Sequence, residues 1–208
     1  MSKHRLELFS DAVMAIILTI MVLDLKAPLQ GGWHAWLAVL PSMADYLLGF
    51  LAVASIWVVH RQYFDRFRVI NAQIIWANFT LLFVMSLLPL LVRAVADHPH
   101  DTADTLAFLI NFDCIVLCPT WMRYAARTDH KHDPEFEKWF KDRAKHAYVT
   151  FAAVGLQGVV AFFFPVTALV LLGAMILLIA WGSINRTERA HYAASATSES
   201  RDNAALSL

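Results

Sequence analysis

The sequence lacks most of the parts from which a soluble enzyme or a nucleic-acid-binding protein is built. It carries no excess charge, with 17 Lys and Arg against 17 Asp and Glu, so neither nucleic acid nor a strongly acidic partner is indicated. Cysteine is nearly absent. Cys114 and Cys118 stand four apart inside an apolar block, with no histidine at metal-ligand spacing. They read as small packing residues rather than a disulfide or half of a metal site. There is no G-x-x-x-x-G-K-[ST] loop, no H-E-x-x-H helix and no G-x-S-x-G turn. With no nucleophile–base pair in their place, enzyme activity, a cofactor and a metal centre are all unexpected. A T-V-G-Y-G run is missing as well, which excludes a carbonyl-ring filter, and no segment repeats Arg at every third position as a voltage sensor does.

What the chain has is apolar length. Hydrophobic residues make up 59% of its 208 positions, and the mean hydropathy is +0.52. Soluble domains hold about 45–50% apolar residues. The excess falls into six blocks: Leu6–Leu25, Trp36–His60, Ala72–Val95, Thr105–Tyr124, Ala147–Phe164 and Val166–Ile184. Each is near the ~20 residues that cross a bilayer as a helix. The expected class is therefore an all-α polytopic membrane protein, with one six-helix domain over 1–190 and a small, polar, disordered tail over 191–208. The fifth and sixth blocks are divided only at Pro165. The first is expected to stay in the mature protein, because its apolar run is long, acidic Glu7 and Asp11 precede it, and no small-x-small cleavage site follows.

Placement of the cations sets the orientation. With both termini cytoplasmic, fifteen of the seventeen Lys and Arg residues lie inside, and only Lys26 and Arg93 lie outside. The outer connections carry Asp24, Asp97, Asp101 and Asp104, which would concentrate cations at a pore mouth or simply be loop polarity. The longest polar stretch, Arg127–His146, places Phe136, Trp139 and Phe140 at i, i+3, i+4 spacing. It is expected to form a short amphipathic helix at the cytoplasmic interface. His130 and His132 within it are weak candidates for metal.

Polar residues inside the apolar blocks are the candidates for function. At 100° per residue, Ile16, Thr19, Ile20 and Leu23 share one stripe of the first block, continued by Phe9 and Ala12. Ser10 and Asp11 lie roughly 120° and 140° from it. The stripe could face a pore or pack as ordinary core. Trp57 and His60 end the second block at a depth matching Ser10 and Asp11, and could join them, belong to an interfacial belt, or be interior groups. Asn78 and Asn111 are candidate interhelical hydrogen-bond partners. Asp113 is the costliest residue of all, either a proton or cation site or a hydrogen-bonded structural group.

Arg5, Phe9, Ser10 and Asp11, followed by Ala15, Ile16 and Thr19, resemble the R-x-x-x-F-S-D signature. That signature opens the first helix of the transmembrane protein 175 potassium channels, in particular their bacterial six-helix members. Trp57-x-x-His60 at the end of the second block, with Asn78 and Pro89 in the third, supports the resemblance. It implies a homotetramer in the bacterial plasma membrane, with four copies of the first helix lining a central pore. Ile16 would form the narrowest point, Thr19, Ile20 and Leu23 the next layers, and Asp24 the outer mouth. Arg5, Phe9, Ser10, Asp11, Trp57 and His60 would brace the helix. Passive potassium permeation is the function implied, with lipid and monovalent cations as the partners. The residues leave one alternative of a different class, a proton-coupled secondary transporter using Asp113.

Overall fold

The structure is a computed structural model that describes residues 2–182 apart from 30, 131, 132 and 179. The polar tail, residues 183–184 of the sixth block, His132, Lys131, Arg186, Arg189 and Arg201 lie outside the described residues. Within them the chain is helical, without strands: α1 Lys3–Leu23, α2 Trp33–Arg66, α3 Ala72–Ser86, α4 Leu88–Asp97, α5 Thr102–Arg127 and α6 Pro134–Phe163. A last helix, α7, covers Pro165–Gly182. α3 and α4 form one apolar length, so the helices make six potential spans. The chain is a multi-pass membrane protein.

Local chemistry accounts for the helix ends. Ser2, Asn71, Asp101 and Asp133 each accept a backbone N–H from the first turn of the helix they precede. Asp133 is followed by Pro134 at the first helical position, where a missing N–H costs nothing. The N–H of Phe136 and the nearby Arg68 guanidinium hold the Asp133 carboxyl below its ordinary value. α3 stops at Ser86 because Pro89 has no N–H to continue the ladder, and α4 restarts with that proline inside its first turn.

Two elements differ from expectation. α2 has 34 residues, about 51 Å, and runs six residues beyond His60. Tyr63 and Phe64 are buried there, so packing extends the helix past its apolar block. The stretch expected to lie separately at the interface is instead the first part of α6, continuous with the fifth span. Its aromatic face meets protein rather than lipid. Trp139 packs edge-on against Tyr63 at 5.0 Å, Phe140 against Tyr124 at 5.1 Å, and Phe136 stacks on His130 at 4.3 Å. No glycine or proline interrupts residues 135–154, so nothing stops the helix between its polar and apolar parts.

α5 is the centre of the subunit. Half of its most apolar window is buried, against 17–28% for the other five spans. α7 doubles back along α6 after Phe164, because Met175 and Gly182 reach the same cavity as Arg143 and Thr150. Gly173 brings α7 against α2, where an added Cβ would lie 3.4 Å from a Leu48 methyl.

Candidate functional site

α1 has two different faces. Leu6, Ser10, Met14, Ile17 and Met21 are buried against the rest of the subunit. The opposite face is uncovered: Ile16 is 55% exposed, Ile20 46% and Leu23 78%, with Phe9, Ala12 and Thr19 also exposed. The apolar stripe picked out by periodicity is this uncovered face, and Ser10 lies in the middle of the buried one. Thr19 donates its hydroxyl to the Ile16 carbonyl at 2.8 Å. That spends the proton within the helix and leaves the oxygen lone pairs as what the side chain can present to a cation.

The buried face is held by a chain of neutral hydrogen bonds. Ser10 Oγ donates to the Leu6 carbonyl at 2.8 Å and accepts from Asn78 Nδ2 at 2.9 Å. With its amide nitrogen turned to Ser10, Asn78 presents Oδ1 to His60 Nε2 at 2.8 Å. His60 therefore donates from Nε2, and the series runs from α2 through α3 into the backbone of α1. Ser10, Asn78 and His60 are all buried. A parallel bond lies nearer the surface, where Trp57 Nε1 donates to Asp11 Oδ1 at 2.7 Å. Phe9 meets the Phe79 ring edge-on at 5.8 Å. One helix is thus fixed to two neighbours over two turns.

Arg5 stands apart. Its backbone N–H closes the Ser2 cap, and its guanidinium makes no hydrogen bond or ion pair among the described residues. Asp24 is not an open carboxylate at the other end of α1, since Arg93 of α4 reaches it at 2.8 Å and also approaches Asp97 at 3.6 Å. Asp101 caps α5, and Asp104 pairs with His98 at 3.0 Å. The acidic residues at this end are each taken up by a local partner, which weakens any field they could set up at a mouth. Asp113 lies on α5, with one carboxylate oxygen buried and without a hydrogen-bond partner among the described residues. Both ring nitrogens of His130 are engaged by backbone, one on the Ala126 carbonyl and the other on the Arg68 N–H, so that ring is not presented as a ligand. No cluster of metal-ligating side chains occurs among the described residues.

Asn78, a candidate interhelical hydrogen-bond partner by sequence, is specifically the residue that joins His60 to Ser10. Its place six residues into α3, at the depth where the second apolar block ends at His60, was the available signal. Arg93 was counted only as an outer cation and its contact with Asp24 was missed. A lone exposed pair leaves no mark in sequence.

The family model described as "Endosomal/lysosomal potassium channel TMEM175" matches residues 5–89, the stretch that holds nearly all of α1, the whole hydrogen-bonded series and the α3–α4 break. A protein of Chryseobacterium sp. named as a potassium channel is 44% identical over 57% of this chain and 67% of its own length. One of Streptomyces collinus, also named as a potassium channel, is 29% identical over 64% of this chain and 69% of its own. The crystal structure of a homologue of the lysosomal potassium-selective channel TMEM175, from Chamaesiphon minutus, superposes with a TM-score of 0.74. It covers 87% of this chain and 97% of that one at 21% identity, and so speaks for the fold.

Proposed function

The chain belongs to the TMEM175 family, and from that premise we propose that it is a passive, potassium-permeable cation channel of the bacterial plasma membrane, assembled as a homotetramer with both termini cytoplasmic. Four copies of α1 line the pore. The observation that carries this reading is the division of α1 itself, with an uncovered apolar stripe containing one hydroxyl on a different side from a buried, hydrogen-bonded face. A helix fixed so firmly on one side presents the other in a set direction. The relatives described above as potassium channels supply the ion.

The layers from Ile16 to Leu23 span about 10 Å along the helix. Rings of isoleucine and leucine give a dehydrated cation no ligand, so this length closes by expelling water. The Thr19 oxygens are the first polar atoms beyond Ile16. Potassium is larger and less strongly hydrated than sodium, so partial dehydration at Ile16 favours it, to a modest degree. Ser10, Asp11, Trp57 and His60 position α1 without meeting the ion, and Asp24 with Arg93 closes its outer end.

The test is ion flux into liposomes. Ile16→Asn, which wets the constriction, is expected to raise conductance severalfold and reduce the preference for potassium over sodium. Unchanged flux and selectivity would remove Ile16 from the pore. Asp113→Asn in the same assay separates the transporter alternative. Flux that needs a pH gradient and vanishes in this variant identifies a proton-coupled carrier, and gradient-independent flux that survives it identifies a channel.

A further inference from the structure

A cavity of about 290 Å³ lies between α2, α5, α6 and α7, on the side of α2 away from the α1 contacts. It belongs to no part of the pore reading. Its wall on α2 runs from Ala52 to Tyr63, eleven residues or roughly 16 Å. That is about half of the ~30 Å hydrocarbon core, the depth of one leaflet. The walls toward the middle of the bundle are apolar, with Ile115, Val116, Met175 and Ile176. The other end holds Tyr63, Arg143 and His146. A narrow apolar slot one leaflet deep and polar at one end has the form of a single acyl chain beneath its headgroup.

The polar end is positive. Arg143 bonds to Gln62 and its guanidinium lies 5.7 Å from the centre of the Tyr63 ring, which fixes it at the rim. His146 binds the Asp142 carbonyl through Nδ1, and its Nε2 makes no hydrogen bond among the described residues. The stretch 138–146 carries Lys138, Lys141, Arg143 and Lys145 against the single acidic Asp142. Behind Tyr63 sits a further cation. Arg123 is fully buried, and none of its guanidinium nitrogens has a hydrogen-bond partner among the described residues. The faces of Phe140 at 4.8 Å and Tyr124 at 5.5 Å meet it. A buried cation without an acceptor is costly. The field it leaves favours a negative group nearby.

We propose that this cavity binds one anionic phospholipid, with an acyl chain between α5 and α7 and its phosphate against Arg143 and His146. Under the orientation proposed above, the lipid comes from the cytoplasmic leaflet. It would fill the far side of the α2 segment whose other side carries Trp57 and His60, and so support the brace on α1 from behind.

The full-length protein, purified in detergent and stripped of lipid, tests this by native mass spectrometry with added phosphatidylglycerol or phosphatidylcholine. The wild type is expected to retain phosphatidylglycerol about fivefold better, the scale set by one arginine near an anionic headgroup. Arg143→Gln should remove that preference. Ala147→Phe, which fills the slot and leaves every cation in place, should remove retention of either lipid. Because Arg143 also packs on Tyr63, a poorly folded Arg143→Gln would pass the decision to Ala147→Phe and to Val116→Phe on the opposite wall. Equal retention of the two lipids by the wild type, or undiminished retention by both filling variants, would overturn the proposal. So would displacement of the lipid by glycerol phosphate at similar concentration, because the acyl chain would then contribute nothing.

Discussion

The two ends of α1 are held in opposite ways. At its start, neutral side chains from two other helices meet it in a dry interior, and none of the three principal partners, Ser10, Asn78 and His60, is exposed. At its end, Asp24 is held by one half-exposed arginine, with side-chain exposures of 46% and 42%. Buried neutral bonds are worth about 1 kcal/mol each when made, and they leave costly orphans when one partner is lost. Exposed ion pairs add between nothing and ~1 kcal/mol and are screened by salt. The first end is therefore a fixed point and the second a light fastening. For a helix whose uncovered face is assigned to ion passage, mobility is expected at the Leu23 end and stability at Ser10. Close packing at the outer half does not reverse this. An added Cβ on Gly49 would come within 2.1 Å of the Met21 terminal methyl, the flexible tip of a long side chain that can move.

Breaking the fixed point should have the largest effect. Asn78→Leu keeps the volume and the apolar surroundings but leaves the His60 N–H without an acceptor and Ser10 without its donor. A loss of roughly 2–4 kcal/mol is expected, toward the low end because hydrogen bonds within bilayers average well under 1 kcal/mol. The measurement is the melting temperature of the purified protein, followed by its oligomeric size. Ser10→Ala removes less, since only the Asn78 amide is orphaned. If Asn78→Leu melts with the wild type, the comparison between the two ends fails.

Trp57→Phe is a smaller cut at the same end. It removes the donor to Asp11 while keeping an aromatic ring at the surface, and the freed carboxylate can turn to water. About 1 kcal/mol is expected rather than the 1.5–3 of a buried charged bond, because the pair is exposed. Potassium selectivity should not move. An altered ion preference in a protein of unchanged stability would place Asp11 on the ion path and end its role as a brace.

Much of this arrangement was legible in the sequence, for physical reasons that differ by feature. Apolar length gave six spans, because a bilayer demands about twenty residues of any helix that crosses it. The 3.6-residue period located the stripe of Ile16, Thr19, Ile20 and Leu23, and the same period put Ser10 on the far side. The partners of Ser10 were not recoverable by that route. His60 and Trp57 were both candidates by depth, and only packing decides that His60 turns inward to Asn78 while Trp57 turns outward to Asp11. The α6 stretch was misread for a related reason. Phe136, Trp139 and Phe140 form an amphipathic face whether the apolar surface opposite is lipid or the rings of Tyr63 and Tyr124, and sequence spacing does not distinguish the two. Arg123 shows the limit most clearly, since a basic residue in a basic region reads as a surface cation until its burial is seen.

The smallest effect belongs to the light fastening, and salt makes it decisive. Arg93→Gln removes the charge that joins Asp24 to α4 and leaves a side chain able to donate a neutral hydrogen bond. Less than about 1 kcal/mol should be lost at low salt. At 1 M salt the screening length falls to about 3 Å, and the difference between Arg93→Gln and the wild type should disappear. The loss in Asn78→Leu should persist there, because its bonds are neutral and buried. A salt-independent penalty for Arg93→Gln comparable to that of Asn78→Leu would mean that the outer end of α1 is anchored as firmly as the inner. The helix would then be a rigid strut along its whole length rather than a lever fixed at one end.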